Sequence, residues 1–221
     1  STLAGAAYLF DMETGQEIRK LNASDSEALD GFGASVAIHN NTALVGASTD
    51  NHTAGVDAGS AYLYNTATGQ ELAKLIADDA VAHARFGSSV ALNNHFAAIG
   101  APHDSESADE AGAVYLFNMA TGLQSHKLIP DDASPGDHFG ISVALGDGLT
   151  IAGAPNSGDL SGPGAAYVFD SLTGEQRIKL VASDATVGDH FGISVAIEQD
   201  IAIIGATLGA ADESSLAGAA Y

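Results

Sequence analysis

Apolar residues along this 221-residue chain come in short runs of four to seven, and the runs recur in a fixed order. In the clearest stretch, residues 86–92 (FGSSVAL) lead to the turn signal Asn93-Asn94 and then to Phe96–Ala101 (FAAIGA). A polar loop follows from Pro102 to Glu110. Then come Ala113–Asn118 (AVYLFN), a turn at Thr121-Gly122, and residues 125–129 (SHKLI). Short runs rich in β-branched and aromatic residues, bounded by turn residues, predict antiparallel strands. No stretch keeps a 3.6-residue period, so no helix is predicted, and no run is long enough to cross a bilayer as one.

The four-strand unit repeats. Phe-Gly recurs at Phe32, Phe86, Phe139 and Phe191, with spacings of 54, 53 and 52. Gly-Ala at Gly46, Gly100, Gly153 and Gly205, Thr-Gly at Thr14, Thr68, Thr121 and Thr173, and Lys-Leu at Lys20, Lys74, Lys127 and Lys179 keep the same register. Tyr8, Tyr62, Tyr115, Tyr167 and Tyr221 hold it too. Repeats of this length with four strands each predict an all-β β-propeller of four-stranded antiparallel blades, with residues 1–221 as one domain. The first two strands of each repeat are small or β-branched throughout, as in strands covered on both faces. Gly and Ala at fixed places let neighbouring sheets approach closely. The lysine on each fourth strand reads as a charged edge that resists edge-to-edge pairing. The alternating aromatics of the third strand, Phe10, Tyr64, Phe117 and Phe169 with the repeat tyrosines, read as core between blades rather than as a carbohydrate platform.

These residues carry a resemblance. The order FG-x-S-V-A, a small-residue strand ending in G-A-P, then G-A-x-Y-x-F resembles the FG-GAP repeats of bacterial surface proteins and integrin α-chain propellers. It spans nearly the whole chain. It implies a propeller, usually seven-bladed, a role in adhesion or ligand binding, and a secreted or cell-surface location. Integrin-type repeats carry a D-x-D-x-D-G calcium loop between the first two strands. Here those turns read HNN, NNH, GDG and EQD, so that site does not carry over.

Composition narrows the reading. There are 28 acidic residues against 7 Lys and Arg, a formal net charge of −21. Such a chain repels nucleic acid and anionic lipid, attracts cations and stays soluble. The absence of cysteine removes disulfides, thiolate metal sites and Cys nucleophiles. The chain starts with Ser1, so any targeting segment would lie outside this sequence. Residues 1–8 (STLAGAAY) and 214–221 (SSLAGAAY) are near copies, giving four repeats plus one surplus strand. Three arrangements fit: part of a larger ring, a small four-bladed ring with one copy displaced, or self-association through the surplus strand.

Two loop sets hold the candidate site residues. The acidic loop before each Phe-Gly carries Asp25 and Asp30, Asp78 and Asp79, Asp131, Asp132 and Asp137, and Asp184 and Asp189. These could converge on Ca²⁺, the one cofactor the composition suggests, or could hold their own loops through Asx-turns. The variable loop after each Gly-Ala carries Asp50, His52 and Asp57, then His103, Asp104, Glu106 and Asp109, then Asp159, and last Asp212 and Glu213. Variable polar loops on rigid strands make a binding surface for a protein or glycan. His138 and His190 follow Asp137 and Asp189 in a repeated GDHFG, but neighbours on a strand face opposite ways. No nucleophile elbow, phosphate loop or paired His-x-x-x-His occurs. The expectation is therefore a non-catalytic extracellular binding propeller. Two alternatives stay open: the propeller domain of a secreted hydrolase, and a structural subunit of a surface layer or filament.

Overall fold

A computed structural model of the chain describes residues 3–157, 162–208 and 218–221, and all its regular structure is β. A half-blade of β1 (Ala7–Phe10) and β2 (Glu17–Leu21) comes first. Blade I is β3 (Phe32–His39), β4 (Thr42–Ala47), β5 (Ser60–Asn65) and β6 (Glu71–Leu75). Blade II is β7 (Ser89–Leu92), β8 (Phe96–Ala101), β9 (Ala113–Asn118) and β10 (Gln124–Leu128). Blade III is β11 (Ser142–Leu145), β12 (Leu149–Ala154), β13 (Ala165–Asp170) and β14 (Gln176–Leu180). Blade IV is β15 (Phe191–Glu198), β16 (Ile201–Ala206) and β17 (Ala219–Ala220). Within each blade, sequential strands pair antiparallel, and the first strand of each blade packs on that of the next. Ala219–Ala220 of the C-terminal copy form the third strand of blade IV and the N-terminal copy supplies β1, so the two do not compete for one place.

The Phe-Gly pair sets the contact between blades. Phe86 N–H donates to Ala58 O of blade I at 3.0 Å, and Phe139 N–H to Ala111 O of blade II at 2.8 Å. The Phe-Gly backbone thus lies on two glycines of the preceding blade. A Cβ on Gly59 would sit 2.1 Å from Phe86 O, and one on Gly100 would sit 1.9 Å from Gly140 O. A serine locks the same seam: Ser35, Ser89 and Ser142 Oγ donate to the carbonyls of Gly87, Gly140 and Gly192 at 2.7, 2.7 and 2.8 Å. The structure corrects the expected strand bounds. In blades II and III the first strand starts at Ser89 and Ser142, whereas in blades I and IV it includes Phe-Gly, although the glycine has φ near +90° in all four. The fourth strand of blade II is likewise shifted by one residue, to Gln124–Leu128.

The Phe ring turns back into its own blade. Phe86 meets Tyr115 and Phe117 at centroid separations of 5.4 and 6.0 Å, and Phe139 meets Tyr167 and Phe169 at 5.7 Å each. Such edge and tilted pairs suit the ring quadrupole. Each aromatic face packs on the opposite face of the preceding blade, where Leu44 and Leu63, Ala98 and Leu116, or Ile151 and Val168 wait. The core is therefore a series of layers between blades, as expected for the aromatics, except that Tyr8 and Phe10 of the half-blade are about half exposed. Second and third strands of blades I to III are covered on both faces. First strands are only partly covered, so the two-sided burial expected for both holds for the second strand alone. Val36 and Ile38 of blade I are well exposed, because β1 and β2 form only the outer half of the sheet before them.

The two turns of the blade interior face one end of the stack, and the long acidic loops all fall at the other, as antiparallel order requires. Gly100→Ala should destabilise the protein by more than about 3 kcal/mol, since its Cβ meets fixed backbone. Gly122→Ala, at φ +72° with open space around it, should cost only about 1 kcal/mol. Denaturant melts of the two variants check this, and equal losses would mean that the glycine seam does not set blade spacing.

Candidate functional site

The loops at the acidic end form a repeated clasp. Asp25, on the loop entering blade I, accepts from Lys74 Nζ at 2.6 Å and from Tyr62 Oη at 2.9 Å. Asp50, buried on the next loop, lies 2.8 Å from the same Nζ and accepts from Ser60 Oγ at 2.5 Å. In blade II, Lys127 Nζ is ringed by Asp79 at 2.6 Å, Asp104 at 3.1 Å and Glu106 at 2.5 Å, and Tyr115 Oη donates to Asp104 at 2.9 Å. In blade III, Asp132 holds Lys179 at 2.6 Å and Tyr167 at 2.9 Å, with Ser157 where the other blades have a second carboxylate. Each lysine also lies over its tyrosine ring, 5.1 to 5.3 Å from the centroid. Asp184 repeats the tyrosine bond in blade IV, with Tyr221.

This corrects the reading of the lysines as solvent-facing edge charges: in blades I to III they fold back over the aromatic strand. Burial raises the Asp25, Asp79 and Asp132 carboxyls, but the lysine hydrogen bond, the tyrosine hydroxyl and the lysine charge outweigh it, and all three fall below the usual range. Burial lowers the lysines, but the hydrogen bonds to these carboxylates outweigh it, and all three rise. Burial, with carboxylates close by, pushes the tyrosine hydroxyls of Tyr62 and Tyr115 well above their ordinary value.

The other predicted site residues divide differently. Asp30, Asp137 and Asp189 are buried and close their own loops by accepting from the N–H of Glu27, Ser134 and Thr186. Burial first, and then the nearby charges of Asp50 and Glu27, lift the Asp30 carboxyl despite its Glu27 bond. Asp78 and Asp131 are exposed on the loops entering blades II and III, and their N–H groups donate to Gln124 and Gln176 at 3.0 Å. His52 is tied to its own loop through Gly59 O at 3.1 Å, and Asp57 faces His83 at 3.5 Å. Asp109 is exposed. Asp159, Asp212 and Glu213 lie outside the described residues. The carboxylates set around the lysines do not form an open oxygen cage of the kind Ca²⁺ needs, because an ammonium already stands at the centre of each group.

One cluster was not singled out from the sequence. His103, Glu110 and His138 meet between blades II and III, and hydrogen bonds from both imidazoles hold the Glu110 carboxyl below the usual range. At the opposite end of the stack, the turns between first and second strands border a cleft of about 620 Å³. His39 and Asn40 bond Asn94 Oδ1 there at 3.0 and 2.8 Å, beside Phe96, Leu145 and Ile197.

Stacked four-stranded antiparallel blades fixed to one another through a Phe-Gly seam define a β-propeller repeat protein. The FG-GAP repeat model matches residues 16–64, 70–117, 123–169 and 175–221, and the chain belongs to that family. No curated protein matches the chain. Among solved structures it is similar to the computationally designed Ika8 protein, with a TM-score of 0.55 and 16% identity over 94% of this chain. That likeness concerns the fold alone, and this chain covers 64% of the designed one.

Lys127→Met should destabilise the protein by about 2–4 kcal/mol, because it strands a buried Asp104 among other carboxylates. Lys179→Met should cost about 1 kcal/mol, since Ser157 replaces the second carboxylate and Lys179 is 35% exposed. Chemical denaturation ranks the two, and a larger loss for Lys179→Met would refute the clasp as drawn.

The clasp also fixes a pH profile. Carboxyls lowered on folding stabilise above the unfolded value of about 3.9 and lose that contribution as pH falls through their folded values. Lysines raised on folding stabilise below about 10.4 and lose it as pH rises through their higher folded values. Asp30 opposes the acid limb, because protonating a raised carboxyl relieves the folded state. Melting temperature should therefore be flat between those limits and fall outside both, and the alkaline fall should shrink in Lys127→Met.

Proposed function

We propose that this propeller is a non-catalytic binding protein of the cell exterior, secreted or surface-held, which presents its acidic loop end to the basic surface of a partner protein. The observation that carries this reading is where the charge is spent. Lys74, Lys127 and Lys179 are consumed inside the clasps and Arg177 pairs with Asp170, while Asp78, Asp109 and Asp131 remain exposed at the loop end. A face so acidic on a stiff scaffold favours fast, salt-sensitive association with cationic partners. Loops already ordered by their own bonds keep the cost of binding low. The loops after each Gly-Ala differ in length and sequence between repeats, which suits them to set specificity.

In this proposal binding needs no calcium, since the lysine of each clasp neutralises carboxylates a calcium ion would need.

The test compares the wild-type chain with Asp78→Lys/Asp109→Lys/Asp131→Lys on arrays of cationic proteins and of neutral glycans, at low and high salt. Binding to basic proteins should weaken with salt and fall at least tenfold in the triple variant, with an unchanged melting temperature. The same melts and binding curves in millimolar calcium and in EDTA should coincide. Binding confined to neutral glycans, or indifferent to the three substitutions, would sink the reading.

A further inference from the structure

At the junction of blades II and III two departures from the repeat meet a histidine that recurs only once. His103 opens the long loop of blade II, Glu110 ends it, and His138 stands just before the Phe-Gly of blade III. His103 Nδ1 lies 3.1 Å from Glu110 Oε1, and His138 Nε2 lies 3.3 Å from Glu110 Oε2. The imidazole centroids are 4.9 Å apart. The same positions hold Thr49, Asp57 and Arg85 one junction earlier, and Asn156, Gly162 and His190 one junction later. Neither of those sets has two imidazoles. Among the described residues this is the one His, Asp and Glu group whose donor atoms all lie within 4.8 Å of one another.

We propose that His103, Glu110 and His138 bind a divalent transition-metal ion of the zinc class, which fastens blade II to blade III. Two imidazoles and a carboxylate suit such an ion and not the all-oxygen shell of Ca²⁺. Bonds of 2.0–2.1 Å in a tetrahedron set neighbouring ligand atoms about 3.3 Å apart. The two separations from Glu110 run to its two different oxygens, and one donor atom from each of the three residues lies within 4.8 Å of the others, so closing on one ion asks the imidazoles and the carboxylate to draw together. Three protein ligands leave one position for water.

The donors are held by the fold before any ion arrives. His138 N–H donates to Glu110 O at 3.2 Å, His103 N–H to Ala84 O at 3.3 Å, and Glu110 N–H to Ser105 Oγ at 2.9 Å. Glu110 and His138 have φ of +49° and +55°, and Asp57 and Arg85 have +51° and +56° at the corresponding places, so the architecture sets this backbone. Behind the site, the Asn156 amide lies 3.0 Å from His138 Nδ1. With Nε2 on a metal, Nδ1 carries the proton and Asn156 offers its carbonyl oxygen, an orientation that only exchanges the amide O and N. His103 and His138 side chains are 22% and 27% exposed, which gives an ion a way in, and the net charge of −21 draws cations to the surface.

The experiment titrates the purified chain with Zn²⁺, followed by calorimetry and by melting temperature, and with Co²⁺, followed by its visible d–d band. His103→Asn and His138→Arg place in the site residues that other junctions carry, so the fold tolerates them. His83→Gln is the control histidine. The wild type should take up one ion per chain and melt higher. Affinity should fall at least tenfold in each site variant and about tenfold in Asn156→Ala, and should be unchanged in His83→Gln. No uptake by the wild type overturns the proposal, as does uptake that survives both site substitutions or a site that Ca²⁺ fills as readily as Zn²⁺.

Discussion

The contact on which the rest of the structure depends is backbone against backbone, where the Phe-Gly of blades II, III and IV lies on two glycines of the blade before it. A Cβ at Gly46, Gly100 or Gly153 would stand 2.0 Å or less from the next blade's glycine carbonyl. That distance leaves room for no side chain, so it dictates small residues nearby and explains why the inner strands read SVAL and AIGA rather than as larger apolar runs. It also forces the phenylalanine ring away from the seam and into its own blade, where the third-strand aromatics receive it. One constraint thus sets the spacing of the blades, the composition of the inner strands and the place of the core. Because every seam joins only neighbours, stability accumulates blade by blade, as in other repeat proteins.

The clasp at the acidic end works on a different scale. The seam tolerates no substitution of its glycines, whereas the clasp varies: two carboxylates in blade I, three in blade II, one and a serine in blade III. Ion pairs half out of water add little net stability, and removing one partner of a buried pair costs more than the pair contributes. The better account of their persistence is register. Each clasp joins the loop that enters a blade to that blade's outer strand and to the loop between its second and third strands, so it pins three segments at one point. In a chain of net charge −21, placing a cation there also relieves repulsion among the carboxylates that must crowd at this end.

The repeat made the fold legible. Phe32, Phe86, Phe139 and Phe191 fixed the register, and Phe96–Ala101 and Ala113–Asn118 are strands as the apolar pattern predicts. Local pattern started the first strand of blade II at Phe86, three residues before its ladder begins at Ser89, although the same Phe-Gly lies within the strand in blades I and IV. The partners of the acidic residues were harder to see. Asp25 and Lys74, Asp79 and Lys127, and Asp132 and Lys179 are each nearly one repeat apart and meet only once the blade between them has paired its four strands. A signal did exist: Asp, Tyr and Lys recur with a single period, and side chains that share a period across repeats are candidates to meet at a seam. Reading the aspartates as a group among themselves hid the lysine that organises them.

His103, Glu110 and His138 teach the complementary lesson, since no periodic reading can find them. Residues kept in every blade answer to demands that every blade shares, which are the seam, the aromatic layer and the clasp. Residues that answer to something met at one place only must break the period, and they must do so together if they act together. His103 and Glu110 stand seven positions apart and each departs from the residue its own register supplies elsewhere, while His138, twenty-eight positions further on, has a counterpart only in His190. Thr49, Asp57 and Arg85 show that the same backbone accepts quite different side chains, so the fold does not require two imidazoles and a carboxylate at this junction. In a repeat protein the scaffold is written in what recurs, and a local chemistry has to be sought among coincident departures from the repeat that the stacking of blades brings face to face.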